Sequence, residues 1–290
     1  MDIKAILMGL TFAFIWSSAF TSARIIVADA PPLASLALRF FVSGLIGVAL
    51  ARALGQSWRL TSEQWRATFI FGICQNALYL GLNFVAMQWV EAGFASIIAS
   101  TMPLMVAFAL WVVFRDRLPK LGILGLILGF AGVVIIMQAR LTAGVDLTGT
   151  ALCVLGAMAL TVATLSMRGA TSGGNVMMVV GLQMLVGAVA LGIASAFTET
   201  LFFRPSFAWY TAFVYTTLVP GLLATWIWFT LVQRIGAIKA ATFHFLNPFF
   251  GVVVAAFVLG ETLSMRDIIG VAIIMVGILA VQLSKAQKPT

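Results

Sequence analysis

Long hydrophobic runs dominate the pattern along this chain. Ten stretches of about 20 mainly apolar residues follow one another, separated by short connectors that carry most of the charged side chains. A run of this length suits a helix that crosses the hydrocarbon core of a bilayer, whereas the strands of a membrane barrel alternate over about ten residues. We predict helices over residues 5–28, 32–53, 66–89, 92–114, 119–138, 148–168, 174–197, 208–232, 236–259 and 265–284.

The composition excludes an ordinary water-soluble domain. Hydrophobic residues make up 62% of the chain and charged residues 9%, whereas soluble domains contain roughly 45–50% and 25%. Because so few polar side chains could not cover a folded surface, lipid must surround most of the chain. In lipid every backbone polar group has to be hydrogen-bonded within the protein. The fold class that we predict is an all-α polytopic membrane protein with ten transmembrane helices.

One segment of the chain recurs. Residues Glu91 to Met137 align without a gap on Gly236 to Gln282, at a constant shift of 145 residues. Matched positions are Ala92 and Ala237, Pro103 and Pro248, Leu118 and Leu263, Gly125 and Gly270, and Gly132 and Gly277. We therefore predict two five-helix repeats, residues 1–140 and 141–290. Because five is an odd number, the repeats must cross the membrane in opposite senses, and such inverted repeats support alternating access.

The positive charges predict the orientation. The net charge is +8, and 17 residues are Lys or Arg. If the N-terminus lies in the cytoplasm, twelve of these fall in cytoplasmic segments and four outside, with Arg39 inside a span. This bias follows the positive-inside rule, so we predict N-in/C-in and need no nucleic-acid partner to explain the charge. The twelve are Lys4, Arg52, Arg59, Arg66, Arg115, Arg117, Lys120, Arg168, Arg234, Lys239, Lys285 and Lys288.

Short motifs recur at defined places in the spans. They are Trp16-Ser17-Ser18-x-Phe20, Leu38-Arg39-Phe40, the prolines at 103 and 248, Asp116-Arg117-Leu118 and Gly260-Glu261-Thr262-Leu263. With these motifs the chain resembles the drug/metabolite transporter superfamily, EamA type, over essentially its whole length. Within that family it is most similar to the YddG-type exporters of aromatic and other amino acids. The resemblance implies a small-molecule carrier of the bacterial inner membrane, many relatives exporting amino acids or other metabolites.

The third span carries three polar side chains at helical spacing. Asn76, Tyr79 and Asn83 lie three and four residues apart, so on an α-helix they share one face. At membrane depth that face must meet protein or a wet cavity. We interpret the three as substrate-binding candidates, and the alternative is hydrogen bonding between helices.

The fourth and ninth spans each contain a proline about half-way along. Pro103 and Pro248 each remove a backbone hydrogen bond, which predicts a helix break or hinge. Candidate substrate-binding residues nearby are Ser96, Ser100, Met102, His244 and Asn247. The serines could instead satisfy the freed carbonyls. An ionisable histidine inside a span indicates substrate binding or proton coupling, with structural hydrogen bonding as the alternative.

Further candidates lie in the first and sixth spans. Trp16 is about half-way along the first span, beside Ser17, and this pair suits a site for an apolar or aromatic side chain. Thr161 and Thr164 place small hydroxyl groups in the sixth span. Packing is the alternative role for Trp16, and the two threonines are expected to widen the cavity. For Arg39 we expect a structural ion pair with Asp29 or Glu91 rather than substrate binding.

Some functions are disfavoured by what the sequence lacks. No Asp or Glu lies near the middle of a predicted span, so carboxylate-based proton coupling is disfavoured. The chain has neither a phosphate-binding Gly-rich loop with Lys nor a nucleophile–base motif, so we expect no enzyme, cofactor or metal. We predict a facilitative exporter of amino acids or similar metabolites. The alternatives are a carrier of nucleotide-sugars or lipophilic drugs, or a passive channel.

Glycines line one side of the fifth span and predict close helix packing. They are Gly122, Gly125, Gly129 and Gly132, spaced three or four apart. Packing within one chain suffices to explain them, although dimerisation through this face is an alternative. The expected partners are therefore a small-molecule substrate and the lipid bilayer, with the protein a monomer or a homodimer.

Overall fold

A computed structural model describes residues 3–166 and 175–286. In those residues ten helices are long and apolar enough to cross a bilayer. They are α1 (Ile3–Asp29), α2 (Pro32–Ala53), α3 (Ser62–Ala86), α4 (Ala92–Val112), α5 (Lys120–Thr142), α6 (Leu147–Ser166), α7 (Val176–Thr198), α8 (Phe207–Ile235), α9 (Lys239–Leu259) and α10 (Met265–Ala286).

The all-helical prediction and its ten spans are confirmed, with every helix at its predicted place. Some ends differ by several residues: α3 begins earlier than predicted, because Thr61 and Gln64 form a capping box there. The predicted span ends at residues 168 and 174 lie outside the described residues, as do Arg168 and Lys288 of the orientation argument. The N-in/C-in orientation stays a prediction.

The first residues of several helices recur after 145 residues, which is the same shift that aligns the repeated segment of the sequence. The helical segments that begin at Ser62, Ala92, Met102 and Lys120 have counterparts that begin at Phe207, Ala237, Asn247 and Met265. The starts of α6 and α7 lie 144 residues after the starts of α1 and α2, one residue short of the same shift. The recurrence of structure therefore extends well beyond the segment whose residues match. The division into repeats at residues 140 and 141 stays a prediction.

Four helices contain an irregular segment, and these segments also correspond. Wider π-helical turns run over Gly72–Leu80 in α3 and Val219–Leu223 in α8, which overlap after the shift of 145 residues. Helix α4 breaks at Thr101, and α9 narrows to a 3₁₀ segment over Phe243–Leu246. Both breaks lie directly ahead of the segment that contains the proline. Each proline is the second residue of the new helical segment, within the first turn, where its missing N–H is tolerated.

The chain forms two compact units. The first unit contains Met1–Thr21, Trp89–Thr150 and Leu223–Thr290, and the second contains Ser22–Gln88 and Ala151–Leu222. The first unit is thus built around α4, α5, α9 and α10, and the second around α2, α3, α6 and α7. Each unit takes helices from both halves of the sequence.

In the first unit α5 and α10 pack closely through glycines. A methyl group at Gly125 would lie 2.7 Å from the carbonyl oxygen of Gly277, and one at Gly132 would lie 2.8 Å from that of Gly270. Only glycine permits two backbones to approach this closely. Since α10 covers this face of α5, the suggestion that the same face could serve a dimer is wrong.

Helices α2 and α7 make the corresponding contact in the second unit. A methyl group at Gly47 would lie 3.1 Å from Gly181 Cα, and one at Gly44 would lie 3.0 Å from the carbonyl oxygen of Gly181. Helix α2 begins at carboxylate acceptors, because Glu199 accepts hydrogen bonds from the backbone nitrogens of Leu33 and Ala34 at 2.8 and 2.9 Å. The carboxylate thereby satisfies two of the free N–H groups at the start of α2.

Charged side chains join helix ends in the first unit. Arg140 at the end of α5 donates to both carboxylate oxygens of Asp267, at 3.2 and 3.1 Å, and to Glu91 at 2.5 Å. Glu261 accepts hydrogen bonds from the backbone nitrogens of Ala92 and Gly93, at 2.7 and 2.9 Å. Glu261, from the motif Gly260-Glu261-Thr262-Leu263, thus caps the start of α4 by accepting hydrogen bonds from two free backbone N–H groups.

The expected ion pair of Arg39 does not form. Glu91 bonds to Arg140, and the carboxylate of Asp29 accepts a hydrogen bond from Ser206 at 2.5 Å. Within residues 3–166 and 175–286, no carboxylate oxygen lies within 4.0 Å of a nitrogen of the Arg39 guanidinium. The prediction of an ion pair for Arg39 is wrong because both carboxylates bond to other residues. The sequence does not reveal which partner a carboxylate selects.

Candidate functional site

The break in α9 places a polar residue beside a gap in the regular helix. The α-helical hydrogen bonding resumes at Asn247, and Pro248 follows as the second residue of the new segment. Asn247 is 7% exposed, and its side-chain oxygen Oδ1 has no hydrogen-bond partner in the described part of the chain. An amide oxygen that can only accept is therefore left open at this break.

Two further hydroxyl groups of the first unit lie at this break. Ser17 of α1 donates from Oγ to the backbone carbonyl of Asn247 at 3.1 Å. Ser96 of α4 is fully buried, and its Oγ has no hydrogen-bond partner among the described residues. Gly251, one turn after Asn247, contacts the Ser96 side chain so closely that a methyl group there would overlap it. Helices α1, α4 and α9 thus bring Ser17, Ser96 and Asn247 around Gly251, and we call these four residues the polar cluster.

The polar cluster has an unusual hydrogen-bond balance. A buried polar atom without a partner costs roughly 1–3 kcal/mol, and most such atoms in folded proteins are paired. Ser96 Oγ and Asn247 Oδ1 are two such oxygens on neighbouring helices of one unit. Both accept hydrogen bonds, so an N–H donor of a ligand would complement them.

The other polar groups near the α4 break bond within their own helix. Ser100 donates to the carbonyl of Ser96 at 2.7 Å, and Thr101 donates to that of Ile98 at 2.7 Å. Thr101 Oγ1 also lies 3.7 Å from the sulfur of Met105. The hydroxyl of Ser100 therefore bonds within its own helix, whereas that of Ser96 has no partner among the described residues. Met102 is half-buried at the start of the second segment of α4.

Aromatic rings form a second group in the same unit. The ring of Phe12 lies 5.7 Å from that of Trp16, 4.8 Å from that of Trp228 and 5.4 Å from that of His244. The rings of Trp228 and His244 meet edge to face at 5.0 Å. These four residues, the aromatic cluster, present ring faces and edges that suit an apolar or aromatic group, or a cation.

His244 is held by its backbone as well as by the rings. Its Nδ1 lies 3.2 Å from the carbonyl oxygen of Ala241. Because a carbonyl only accepts, this contact requires the proton on Nδ1 and leaves Nε2 as the acceptor in the neutral ring. Phe12 and Trp228 were not among the candidates selected from the sequence. Phe12 could have been found, because it lies four residues before Trp16 on the same face of α1.

In the second unit the candidates of α3 contact two different helices. Asn76 donates from Nδ2 to the carbonyl of Gln183 in α7 at 3.0 Å. Asn83 donates to the carbonyl of Tyr79 at 2.8 Å, and a methyl group at Gly156 in α6 would lie 2.7 Å from Asn83 Nδ2. Residues three and four apart share one face only on an α-helix. Because Asn76 and Tyr79 lie in the π-helical segment, that spacing does not apply to them.

Asn83 leaves a third buried oxygen open. It is 1% exposed, and its Oδ1 has no hydrogen-bond partner in the described part of the chain. Tyr79 is 2% exposed. In α6, Thr161 donates to the carbonyl of Ala157 at 2.9 Å and Thr164 donates to that of Leu160 at 2.8 Å. The hydroxyl groups of both threonines thus bond within their own helix.

The structure divides the predicted site residues between the two units. Those in the first unit are Trp16, Ser17, Ser96, Ser100, Met102, Pro103, His244, Asn247 and Pro248. Those in the second unit are Asn76, Tyr79, Asn83, Thr161 and Thr164. The first set includes direct contacts between α1 and α9, and the second includes direct contacts between α3 and α7. A role in binding stays a prediction for every one of them.

Known proteins of similar sequence are transporters. The profile of the EamA-like transporter family matches residues 3–138 and again residues 147–283. The uncharacterized transporter YvbV of Bacillus subtilis is 28% identical over 278 residues, which cover 94% of this chain and 90% of that protein. The uncharacterized inner membrane transporter YedA of Escherichia coli is 27% identical over 289 residues, which cover 96% of this chain and 91% of that protein.

A solved structure shares the fold. One crystal structure superposes with a TM-score of 0.70 at 21% sequence identity, and the match covers the whole of both chains. At this identity the likeness shows the fold alone. Ten apolar helices and the match to an inner membrane transporter make this a multi-pass protein of the bacterial inner membrane.

Proposed function

This chain belongs to the EamA-like transporter family, and we propose that it exports amino acids or similar small metabolites across the inner membrane by alternating access. The transport is facilitative, without coupling to an ion gradient. A preference for aromatic amino acids is part of the proposal, because the chain resembles the YddG-type exporters and carries an aromatic cluster in its first unit.

The open oxygens of the polar cluster carry this proposal. Ser96 Oγ and Asn247 Oδ1 are buried in membrane-spanning helices and have no hydrogen-bond partner within the described part of the chain. The ammonium group of an amino acid offers three N–H donors, which would complement two acceptors. The aromatic cluster of Phe12, Trp16, Trp228 and His244 supplies the apolar surface that a side chain requires. A small molecule with one amino group and one apolar group fits both features.

The helix breaks support alternating access. Helices α4 and α9 are each interrupted before a proline, at Thr101 and over Phe243–Leu246. Inverted repeats with interrupted helices are a common architecture of carriers that expose one site to either side of the membrane in turn. We propose Pro103 and Pro248 as the hinges of that motion, because each begins a segment that can tilt against the one before it.

The charge pattern supports facilitative transport. No carboxylate occurs near the middle of any predicted span, and carboxylates in spans are common members of proton relays. His244 is the one histidine of the sequence, so it is the group on which proton coupling would depend. A pH gradient that drives accumulation would replace the facilitative mechanism with His244-dependent coupling.

The test is counterflow in proteoliposomes that contain the purified protein. Vesicles are preloaded with unlabelled phenylalanine, and the entry of labelled phenylalanine is followed with and without a pH gradient. We expect transient accumulation of label that is saturable and insensitive to the gradient. A channel would give no counterflow. Absence of transport for phenylalanine, tryptophan and alanine, in protein that is shown to be folded, would overturn the amino-acid cargo and favour a nucleotide-sugar or lipophilic drug.

A further inference from the structure

The second unit contains a buried arginine that has no counter-ion among the described residues. Arg39 in α2 is 6% exposed, and its Nε has no hydrogen-bond partner among the described residues. The guanidinium lies over the ring of Phe40, with the carbon Cζ 5.1 Å from the ring centroid. An aromatic ring stabilises the cation only partly. Charged residues inside a span usually pair with another group or bind a ligand.

A π-helical turn lies directly beside this guanidinium. Gly221 belongs to the segment Val219–Leu223 of α8. A methyl group placed on it would lie 3.3 Å from the carbonyl oxygen of Thr216, 3.4 Å from Ser43 Oγ and 3.8 Å from Arg39 Nη2. A larger side chain at position 221 would therefore fill the space next to the cation. Single π-helical turns occur frequently at functional sites.

A serine hydroxyl lies at the same place. Ser43 donates to the carbonyl of Thr217 at 3.4 Å, a long hydrogen bond that leaves the hydroxyl readily diverted. The hydroxyl of Thr216 is bonded instead to Ser22 of α1 at 2.6 Å. Arg39 and Ser43 of α2 thus place two donors beside Gly221 of α8.

We propose that Arg39, with Ser43 and Gly221, forms a binding site for the carboxylate group of a small organic molecule in the second unit. The planar guanidinium presents parallel N–H donors whose spacing matches the two oxygens of a carboxylate. Ser43 Oγ is the second donor, and the glycine at position 221 places no side chain between the two donors. This site goes beyond the proposed function, because it rests on the described contacts of Arg39 alone and holds for any carboxylate-bearing molecule.

The probes are benzoate and its neutral counterpart benzamide. Thermal unfolding of the purified protein in detergent is followed while sodium benzoate replaces sodium chloride at constant ionic strength. We expect benzoate to raise the unfolding temperature in a saturable manner and benzamide to leave it unchanged. The exchange against chloride separates a carboxylate site from a general anion effect. An equal response to benzoate and benzamide would overturn the proposal.

Three variants test whether Arg39 causes the effect of benzoate on the unfolding temperature. Arg39→Gln should abolish the difference between benzoate and benzamide. Arg39→Lys keeps the positive charge but loses the parallel N–H donors of the guanidinium, so it should weaken the apparent affinity for benzoate at least several-fold. Arg24→Gln is the matched control, because it removes a positive charge from α1 of the same unit, and it should respond as the wild type does. A full benzoate response in Arg39→Lys would overturn the proposal even if Arg39→Gln failed to fold.

The readout involves no transport. Failure of phenylalanine counterflow would therefore overturn the proposed function and leave the carboxylate site standing. Loss of the benzoate effect in the wild type, with counterflow intact, would overturn the site alone.

Discussion

Ser17 donates a hydrogen bond of 3.1 Å to the backbone carbonyl of Asn247, a residue that lies 230 positions further along the chain. The contact joins the middle of α1 to the point where α9 resumes after its break. It uses the hydroxyl of Ser17 and the backbone of Asn247, so the Asn247 amide oxygen stays open. The contact holds the backbone at Asn247 in place but gives its side-chain oxygen no hydrogen bond. This arrangement suits a ligand that donates one.

Ser96→Ala separates binding from stability. Removing a buried hydroxyl that has no partner should leave the free energy of unfolding unchanged or raise it by about 1 kcal/mol. Phenylalanine counterflow should fall about tenfold, which corresponds to the loss of one ligand hydrogen bond of about 1.4 kcal/mol. Counterflow at equal protein content and thermal unfolding measure the two effects.

The control for that variant is Ser284→Ala. Ser284 is equally buried, but its hydroxyl donates to the carbonyl of Val281 in its own helix at 2.7 Å. Its removal should leave counterflow unchanged. Wild-type transport by Ser96→Ala would exclude Ser96 from the binding site.

Two substitutions of His244 distinguish packing from chemistry. His244→Ala removes a ring that contacts both Phe12 and Trp228, so both the stability and the transport should fall. His244→Phe keeps an aromatic ring but loses both nitrogens, so the unfolding temperature should stay within a few degrees while transport falls about tenfold. Counterflow and thermal unfolding are measured for both. Full transport by His244→Phe would show that His244 only packs.

Asn76→Ala tests the second unit. The substitution removes the hydrogen bond to the carbonyl of Gln183, and such bonds between membrane helices contribute about 0.6 kcal/mol on average. We expect a small decrease in stability, with the protein still folded, and a larger decrease in transport. Transport that falls only in proportion to the amount of folded protein would assign Asn76 to helix packing alone.

Gly277→Ala tests the close packing of α5 and α10. The added methyl group would lie 2.5 Å from the backbone nitrogen of Gly129 and 2.7 Å from the carbonyl oxygen of Gly125. Because backbone atoms cannot move aside as a flexible side chain can, we expect a loss of about 1–3 kcal/mol in stability. Thermal unfolding in detergent measures the loss.

Gly192→Ala is the control for the glycine contact. Gly192 also lies within a membrane helix, α7, but a methyl group there would meet no atom within 4 Å. Its unfolding temperature should equal or exceed that of the wild type. An equal response of the two glycine variants would contradict close packing as the reason for Gly277.

The architecture was largely readable from the sequence. The ten spans follow from runs of apolar residues, because the free energy of placing a helix in lipid is close to a sum over its own residues. The correspondence of Pro103 with Pro248 predicted matched helix breaks, and the structure has a break before each of them. Candidate residues such as Ser96, His244 and Asn247 could be selected because polar groups are costly in lipid.

The hydrogen-bond partners of the polar side chains could not be predicted from the sequence. Ser96 and Ser100 are equivalent candidates in the sequence, but the Ser100 hydroxyl bonds to a backbone carbonyl, whereas Ser96 Oγ has no partner among the residues that the structure describes. Arg39 had two plausible carboxylates, and both bond elsewhere. The faces of Asn76 and Asn83 depend on a π-helical turn that residue spacing does not reveal.

The sequence by itself thus determined the helical class, the number and places of the spans, and the internal repeat. These properties depend on local hydrophobicity and on matches along the chain. The tertiary structure decided which polar atoms stay without a hydrogen bond, which rings surround His244, and that Asp29 and Glu91 bond to residues other than Arg39. These properties depend on partners up to 230 residues away, and the geometry that selects one partner over another exists only after the helices have packed.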